Sequence, residues 1–207
     1  MYSPRMLTLH LARHGDTTQA ADGIFSGDLD PPLTESGMLQ AEKLAKVTVN
    51  LALVALYVSP KLRARLTAAP TAKATGLEPN VREGLREIGY GTWDGREERE
   101  IKAREPEAYA AWTGDPALVS PPGGETAFAI AARALPVLIE IRREHPTGNV
   151  LVVSHKATIR VITCALLGLH LGRFRDRVAC PTASLTTFEF GDRGAMLTRL
   201  GDTHYLG

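Results

Sequence analysis

The sequence predicts an α/β fold built from parallel-type units, and three observations carry that prediction. Met6 to Ala12 is apolar except for Thr8 and His10 and runs into Arg13-His14-Gly15, which reads as a short strand whose far end delivers a cation, an imidazole and a turn-permitting glycine. Val150 to Val153 is wholly apolar, ends in Ser154-His155, and is followed by helical spacing from Thr158 through Leu167. Leu53 to Val58 is a third, near-continuous apolar run, the mark of a strand buried on both faces. Open α/β sheets collect their chemistry at such strand ends, so two strand-terminal histidines point to one crevice.

Composition narrows the class. At 207 residues the chain is expected to form one domain, 1–207, large enough for a substantial core. With 24 Lys plus Arg against 23 Asp plus Glu, the net charge of +1 argues against nucleic-acid binding as the main business. Cys164 and Cys180 lack metal-ligand spacing and read as buried structural thiols. The N-terminus carries Arg5, but the apolar run after it is interrupted by His10 and Arg13, unlike a secretory signal. No run approaches the ~18 apolar residues of a membrane span. A soluble, cytoplasmic protein without membrane partners is expected; a homodimer is left open.

The other elements follow in order. Thr34 is placed to cap a helix running to about Val49, with Met38, Ala41, Leu44 and Ala45 on its buried face. After Ser59-Pro60, a helix from Lys61 puts Leu62, Leu66 and Ala69 on one side and Arg63 near its start. A cation there opposes the helix dipole unless it works with the terminus on an anion; the alternative is one more solvated charge. Val81 to Ile88 reads as a short strand or extended segment before the glycine- and aromatic-rich loop Gly89 to Gly95. Glu87, just ahead of that loop, is an ordinary solvated charge unless nearby chemistry needs an acid. Arg96 to Arg104 reads as an exposed helix, and Pro106 to Gly124, with Tyr109 and Trp112, as a segment covering the site. Gly124-Glu125-Thr126 leads into a helix to about Glu144 with Phe128, Ala132, Leu135 and Ile139 on its apolar face and a kink at Pro136. Leu185 to Phe190 and Ala195 to Leu200 flank Gly191-Asp192-Arg193-Gly194 as a hairpin.

Brought to one crevice, Arg13, His14, Arg63, Glu87 and His155 supply two guanidiniums, two imidazoles and a carboxyl. Guanidinium forks match the oxygens of a phosphoryl group. No cluster offers carboxylate-rich Mg²⁺ coordination or a Gly-rich nucleotide loop, so a metal-free reaction is expected. A neutral histidine can attack phosphorus, and neighbouring cations favour the neutral ring. Arg13, Arg63 and a donating His155 suit the charge on the equatorial oxygens, and Glu87 the proton of the leaving oxygen. His10, His145 and His170 have no metal partner at useful spacing.

These residues resemble the histidine phosphatase superfamily, also called phosphoglycerate-mutase-like, over almost the whole chain. The matching segments run in family order: Arg13-His14-Gly15; Gly27 to Gly37; Ser59-Pro60 with Arg63-Ala64 and Thr67-Ala68; Leu85-Arg86-Glu87-Ile88 with Gly91, Trp93 and Gly95; Gly124-Glu125-Thr126; and Val153-Ser154-His155. The resemblance implies a three-layer αβα sandwich with a mixed, mostly parallel central sheet, and no cofactor. It implies His14 as the phosphorylated nucleophile, Arg13, Arg63 and His155 as the phosphate pocket, and Glu87 as proton donor. Asp16 stands where the family commonly has glutamate, and Ala20 where many members carry a phosphate-contacting asparagine. Either another group such as Thr17, Gln19 or Lys156 substitutes for that donor, or the phosphate is held less tightly. Lys156, where many relatives have glycine, either reads a second anionic group on the substrate or is a surface lysine. His204, in Gly201-Asp202-Thr203-His204, resembles a C-terminal family segment that returns near the site.

The Gly-x-Trp-Asp-Gly loop and the lack of long insertions look like the phosphatase branch, so a phosphatase acting on a small phosphorylated metabolite is favoured over a phosphomutase. The missing asparagine motivates a third reading, an inactive phospholigand-binding protein. Tyr90, Trp112 and residues 105–123 are expected to line or cover the leaving-group pocket.

Overall fold

Strands form where the apolar runs are, and the way they pair decides where the chemistry converges. The computed structural model describes residues 6–21 and 23–207; Arg5 and the side chain of Ala20 lie outside what it describes. Six strands, β1 (Leu7–Arg13), β2 (Leu53–Val58), β3 (Pro79–Val81), β4 (Gly148–Ser154), β5 (Leu185–Gly191) and β6 (Gly194–Asp202), form one sheet in the order β3-β2-β4-β1-β5-β6. The first four are mutually parallel, while β5 runs antiparallel to β1 and β6 to β5. The expected hairpin is the β5–β6 pair. In the β1–β4 register Arg13 lies opposite Ser154. The residues that follow, His14 and His155, therefore leave the sheet side by side.

Alternation along the strands builds the two faces. Leu7, Leu9 and Leu11 of β1, Ala55 and Tyr57 of β2, and Val150 and Val152 of β4 pack against α6 (Ala127–Glu144) and α7 (Lys156–Leu167) through Leu138, Ile141, Ile159 and Ile162. The intervening Ala12, Leu56, Val58, Leu151 and Val153 meet α2 (Glu35–Thr48) and α3 (Leu62–Thr75) through Leu44, Ala64 and Ala68. The result is a three-layer αβα sandwich around a mixed, mostly parallel sheet. His10, mid-strand in β1, is satisfied from both neighbours: Nδ1 lies 3.1 Å from Thr187 Oγ1 and Nε2 3.1 Å from Asn149 Oδ1. That accounts for a buried imidazole without a functional role.

Helix starts follow their caps, but helix faces depart from the periodicity reading. Thr34 Oγ1 accepts the Gly37 amide at 3.0 Å and starts α2, as expected; Ala41, Leu44 and Ala45 are buried with Gly37 and Thr48, while Met38 of the expected face is exposed. Helix α3 buries Arg63, Ala64, Thr67, Ala68 and Thr71 and exposes Leu62. Thr48 and Thr71 hydroxyls meet at 3.1 Å between these two helices, a spacing that small side chains permit. Thr126 caps α6, its Oγ1 accepting the Ala129 amide at 3.1 Å. That helix buries Ile130, Ala131, Ala134, Val137, Leu138 and Ile141 while Phe128 and Ile139 face outward. Pro136 sits within the continuous helix, on its exposed side.

Two segments differ in type. Val81 to Ile88, expected as a short strand or extended segment, holds no strand beyond Val81: β3 ends there and a single 3₁₀ turn, Glu83–Leu85, follows. The covering segment is not irregular throughout: α4 (Glu98–Arg104) is followed directly by α5 (Pro106–Gly114), with Pro106 at the first turn, where its missing amide costs nothing.

Candidate active site

The His14 ring is held from three directions. Its amide donates to Ser154 O (3.0 Å) and its carbonyl accepts from the Ala183 amide (3.2 Å), fixing the backbone between β4 and the entry to β5. The next residue, Gly15, donates its amide to Thr67 Oγ1 (2.9 Å), which in turn donates to the Arg63 carbonyl (2.7 Å). Only glycine fits there, because an added Cβ would stand 2.5 Å from the Gly37 carbonyl oxygen. The imidazole Nδ1 lies 2.7 Å from the Gly15 carbonyl. A carbonyl only accepts, so Nδ1 carries the proton and Nε2 carries the lone pair. Burial first, and then the Arg13 and Arg63 guanidiniums, hold this ring well below the ordinary histidine range, so it is neutral at neutral pH.

His155 stands behind it, fully buried, with ring centroids 5.1 Å apart. Its Nε2 is 2.6 Å from Ser59 Oγ, and its buried Nδ1 has no protein partner. Burial, then His14 and Arg63, lowers its affinity for a proton as well. Arg63 is 2% exposed despite its charge; Nη1 donates to Leu29 O (2.7 Å) and Nη2 to Ser26 O (3.1 Å), with Asp30 3.4 Å away. It is not the solvated alternative. Arg13 donates to Cys180 O at 2.9 Å.

Glu87 is buried too, and its carboxylate sits on the start of α7. Oε1 accepts the Ile88, Ala157 and Thr158 amides at 3.0, 3.2 and 3.3 Å, using the free donors of a helix N-terminus. Its loop is braced by Glu125, whose oxygens take Arg86 at 2.7 and 2.9 Å, Arg133 at 2.9 and 3.1 Å, and the Gly89 amide at 2.9 Å. Despite partial burial, which opposes it, this set of donors brings the Glu125 carboxyl down to about 2. Arg133 also holds the carbonyls of Gly84, Arg86 and Glu87.

Arg13, His14, Thr17, Arg63, Glu87 and Lys156 share the wall of one cavity of about 380 Å³. Chemically this is a neutral, oriented imidazole facing fixed cations and one carboxylate, an arrangement suited to receiving a phosphoryl group. The model of the histidine phosphatase superfamily (branch 1) matches residues 9–203. The chain belongs to that superfamily. It is 34% identical over 202 residues to phosphoserine phosphatase 1 of Hydrogenobacter thermophilus, covering 98% of this chain and 95% of that one. It is also 33% identical over 173 residues to the glucosyl-3-phosphoglycerate phosphatase of Mycobacterium tuberculosis, covering 80% and 77%. Among solved structures, Bacillus stearothermophilus YhfR superposes with a TM-score of 0.91 at 29% identity over 97% of this chain and all of that one. With such relatives, the chain is a phosphatase of this superfamily.

Seen as a histidine phosphatase, the chain places some expected residues elsewhere. Gln19 is not on the cavity wall; its Oε1 accepts from Ser26 Oγ at 3.0 Å. Ala20 belongs to the short helix α1 (Thr18–Ala21). The C-terminal segment does return, but through Tyr205, whose hydroxyl donates to the Ala183 carbonyl, while His204 is exposed and its amide donates to Asp202 Oδ1. Tyr90 and Trp112 reach the cavity with Phe25, Arg160, Phe174 and Arg175. Sequence reasoning missed Arg160, in α7, and Arg175, in α8 (Phe174–Arg177). The available signal was spacing: Arg160 lies one helical turn beyond Lys156 and shares its face. Among the described residues, no group of three His, Cys, Asp or Glu is arranged to hold a metal ion.

Proposed function

We propose that this phosphatase hydrolyses phosphomonoesters of small metabolites through a phosphohistidine on His14, without a metal. The observation that carries the reading is the His14 Nδ1–H bond to the Gly15 carbonyl, which leaves Nε2 unprotonated on a residue that lines the same cavity as Arg13 and Arg63. In the first half-reaction Nε2 attacks phosphorus as the bond to the leaving oxygen breaks, and Glu87 gives that oxygen its proton. In the second, water attacks the phosphohistidine, Glu87 takes a proton back, and phosphate departs with His14 restored. Arg13, Arg63 and His155 stabilise the equatorial oxygens, whose charge peaks between the two bonds; the buried Thr17 adds a hydroxyl.

The cavity volume sits near the lower end of small-molecule sites, which supports a compact substrate. So do the phosphoserine and glucosyl-3-phosphoglycerate phosphatases among the relatives. We also read the chain as one cytoplasmic domain: β1 to β6 enter a single sheet and both cysteines are free and buried. The test is hydrolysis of p-nitrophenyl phosphate by the purified chain with chelator present, beside His14→Ala, with acid-labile phosphate trapped on the protein. Chelator-resistant turnover and labelling that both vanish in the variant are expected. Activity that requires 2,3-bisphosphoglycerate would replace hydrolysis by phosphoryl exchange between substrates.

A further inference from the structure

The catalytic groups account for one side of the cavity and leave a second group of cations without a task. Lys156 and Arg160 project from consecutive turns of α7, and Arg175 joins them from α8. Among the described residues none of the three has a carboxylate within 4.0 Å or donates a side-chain hydrogen bond to protein. By contrast Arg82, Arg86, Arg96 and Arg133 are all paired with glutamates. Arg160 Nε and Arg175 Nη1 are buried with no partner. The Arg175 guanidinium lies 3.9 Å from the Trp112 ring centroid, held on an aromatic face rather than by an anion.

The carboxylates at the cavity are already committed. Glu98 serves the Tyr109 hydroxyl and Lys102, and Glu87 serves the amides at the start of α7. Partial desolvation, then Arg13 and Arg160, lowers the Lys156 amine below the usual lysine range, and Arg13 and Arg175 act the same way on Arg160. Burial is the largest cause for Arg160 too; the three crowd one another and Arg13, and Glu87 and Glu98 act on them only from beyond ion-pair distance. One phosphoryl group between Arg13 and Arg63 answers the cations around His14; it leaves these three unanswered.

We propose that Lys156, Arg160 and Arg175 form a second anion subsite, so that the preferred substrates are phosphomonoesters whose leaving group carries its own carboxylate or phosphate. This rests on the hydrolytic reading of the same cavity. Guanidiniums bind oxygen anions through paired donors, and a site built to pair such a group discriminates strongly against a ligand that lacks it. The subsite lies beside Trp112, on the leaving-group side, and so acts on the part of the substrate that does not react.

The experiment compares kcat/KM for 3-phosphoglycerate, a bisphosphate (fructose 1,6-bisphosphate) and glycerol 3-phosphate, whose leaving group is uncharged. Wild-type enzyme is expected to favour at least one doubly anionic substrate over glycerol phosphate by about tenfold or more. In Arg160→Gln that ratio should fall by about 10- to 100-fold, the usual worth of a charge-assisted hydrogen bond, chiefly through KM; Lys156→Met at the exposed rim should lower it by a smaller factor. The carboxylate arm and the phosphate arm identify which anion the subsite takes. Wild-type turnover of glycerol phosphate at least as efficient as that of both others overturns the subsite, as does a ratio unchanged in Lys156→Met and Arg160→Gln. Lack of turnover on every substrate, p-nitrophenyl phosphate included, instead overturns the hydrolytic reading beneath it.

Discussion

The ends of β1 and β4 look alike in sequence and do different work. Each runs from a buried strand into a histidine, and the parallel register sets the two rings 5.1 Å apart. At the β1 end the ring is tied to a backbone carbonyl, the residue lines the cavity, and a glycine turn follows. At the β4 end the ring is tied to a serine hydroxyl and fully buried, and its residue stands at the N-cap position, without a side-chain cap, of a twelve-residue helix whose first amides hold Glu87. The partner of each ring, rather than its strand, is what differs: a carbonyl for His14 and a serine hydroxyl for His155. On the proposed mechanism, the same motif serves as a nucleophile on one side and as an electrostatic and proton-transfer platform on the other.

This contrast is exposed to test. His14→Ala should lower kcat by a thousandfold or more and abolish acid-labile phosphate on the protein, since the bond-forming atom is gone. His155→Gln should lower kcat by about 100- to 1000-fold, the cost of removing one preorganised donor, while slow labelling of His14 persists; equal loss of labelling in both variants would erase the distinction. Glu87→Gln should cost about 100-fold with an alkyl phosphate and much less with p-nitrophenyl phosphate, whose leaving group departs without a proton. Ser59→Ala, which removes only the partner of His155, should cost about fivefold to tenfold in kcat, the worth of one hydrogen bond.

Acid stability sharpens the comparison further. Both rings have folded-state pKa values below the unfolded histidine value of 6.5. The unfolded chain therefore takes up protons first as pH falls. The stability contribution is complete above 6.5 and is lost progressively below it, at up to about 1.4 kcal/mol per pH unit for each ring. Urea unfolding at pH 7.5 and 5.5 should show this loss, and His155→Gln should show a smaller one.

Much of the site was legible because strand-terminal histidines, a first-turn arginine and an acid before a glycine loop stand next to local signals that strands and caps fix. Glu87 and Arg63 were ambiguous by themselves, and their burial depends on partners distant in sequence: the α7 amides, and the Leu29 and Ser26 carbonyls. On α6 two apolar stripes compete, and the one with Ile130, Val137, Leu138 and Ile141 is buried; the face of α3 was misread for a different reason. Periodicity weights bulky residues, whereas α3 buries Ala64, Thr67, Ala68 and Thr71 to approach α2 closely and leaves Leu62 outside. Arg160 and Arg175 escaped notice because an arginine on a helix reads as solvated until another helix turns it toward a cavity.

The aromatic packing over the cavity has an optical consequence. The chain has two tryptophans, Trp93 and Trp112, both buried in one cluster with ring centroids 5.5 Å apart, the second beneath Arg175 and on the cavity wall. All tryptophan emission thus originates from a single cluster, one ring of which lies against the Arg175 guanidinium. If the proposed subsite takes an anion, intrinsic tryptophan fluorescence is expected to change on binding, and the titration needs no label.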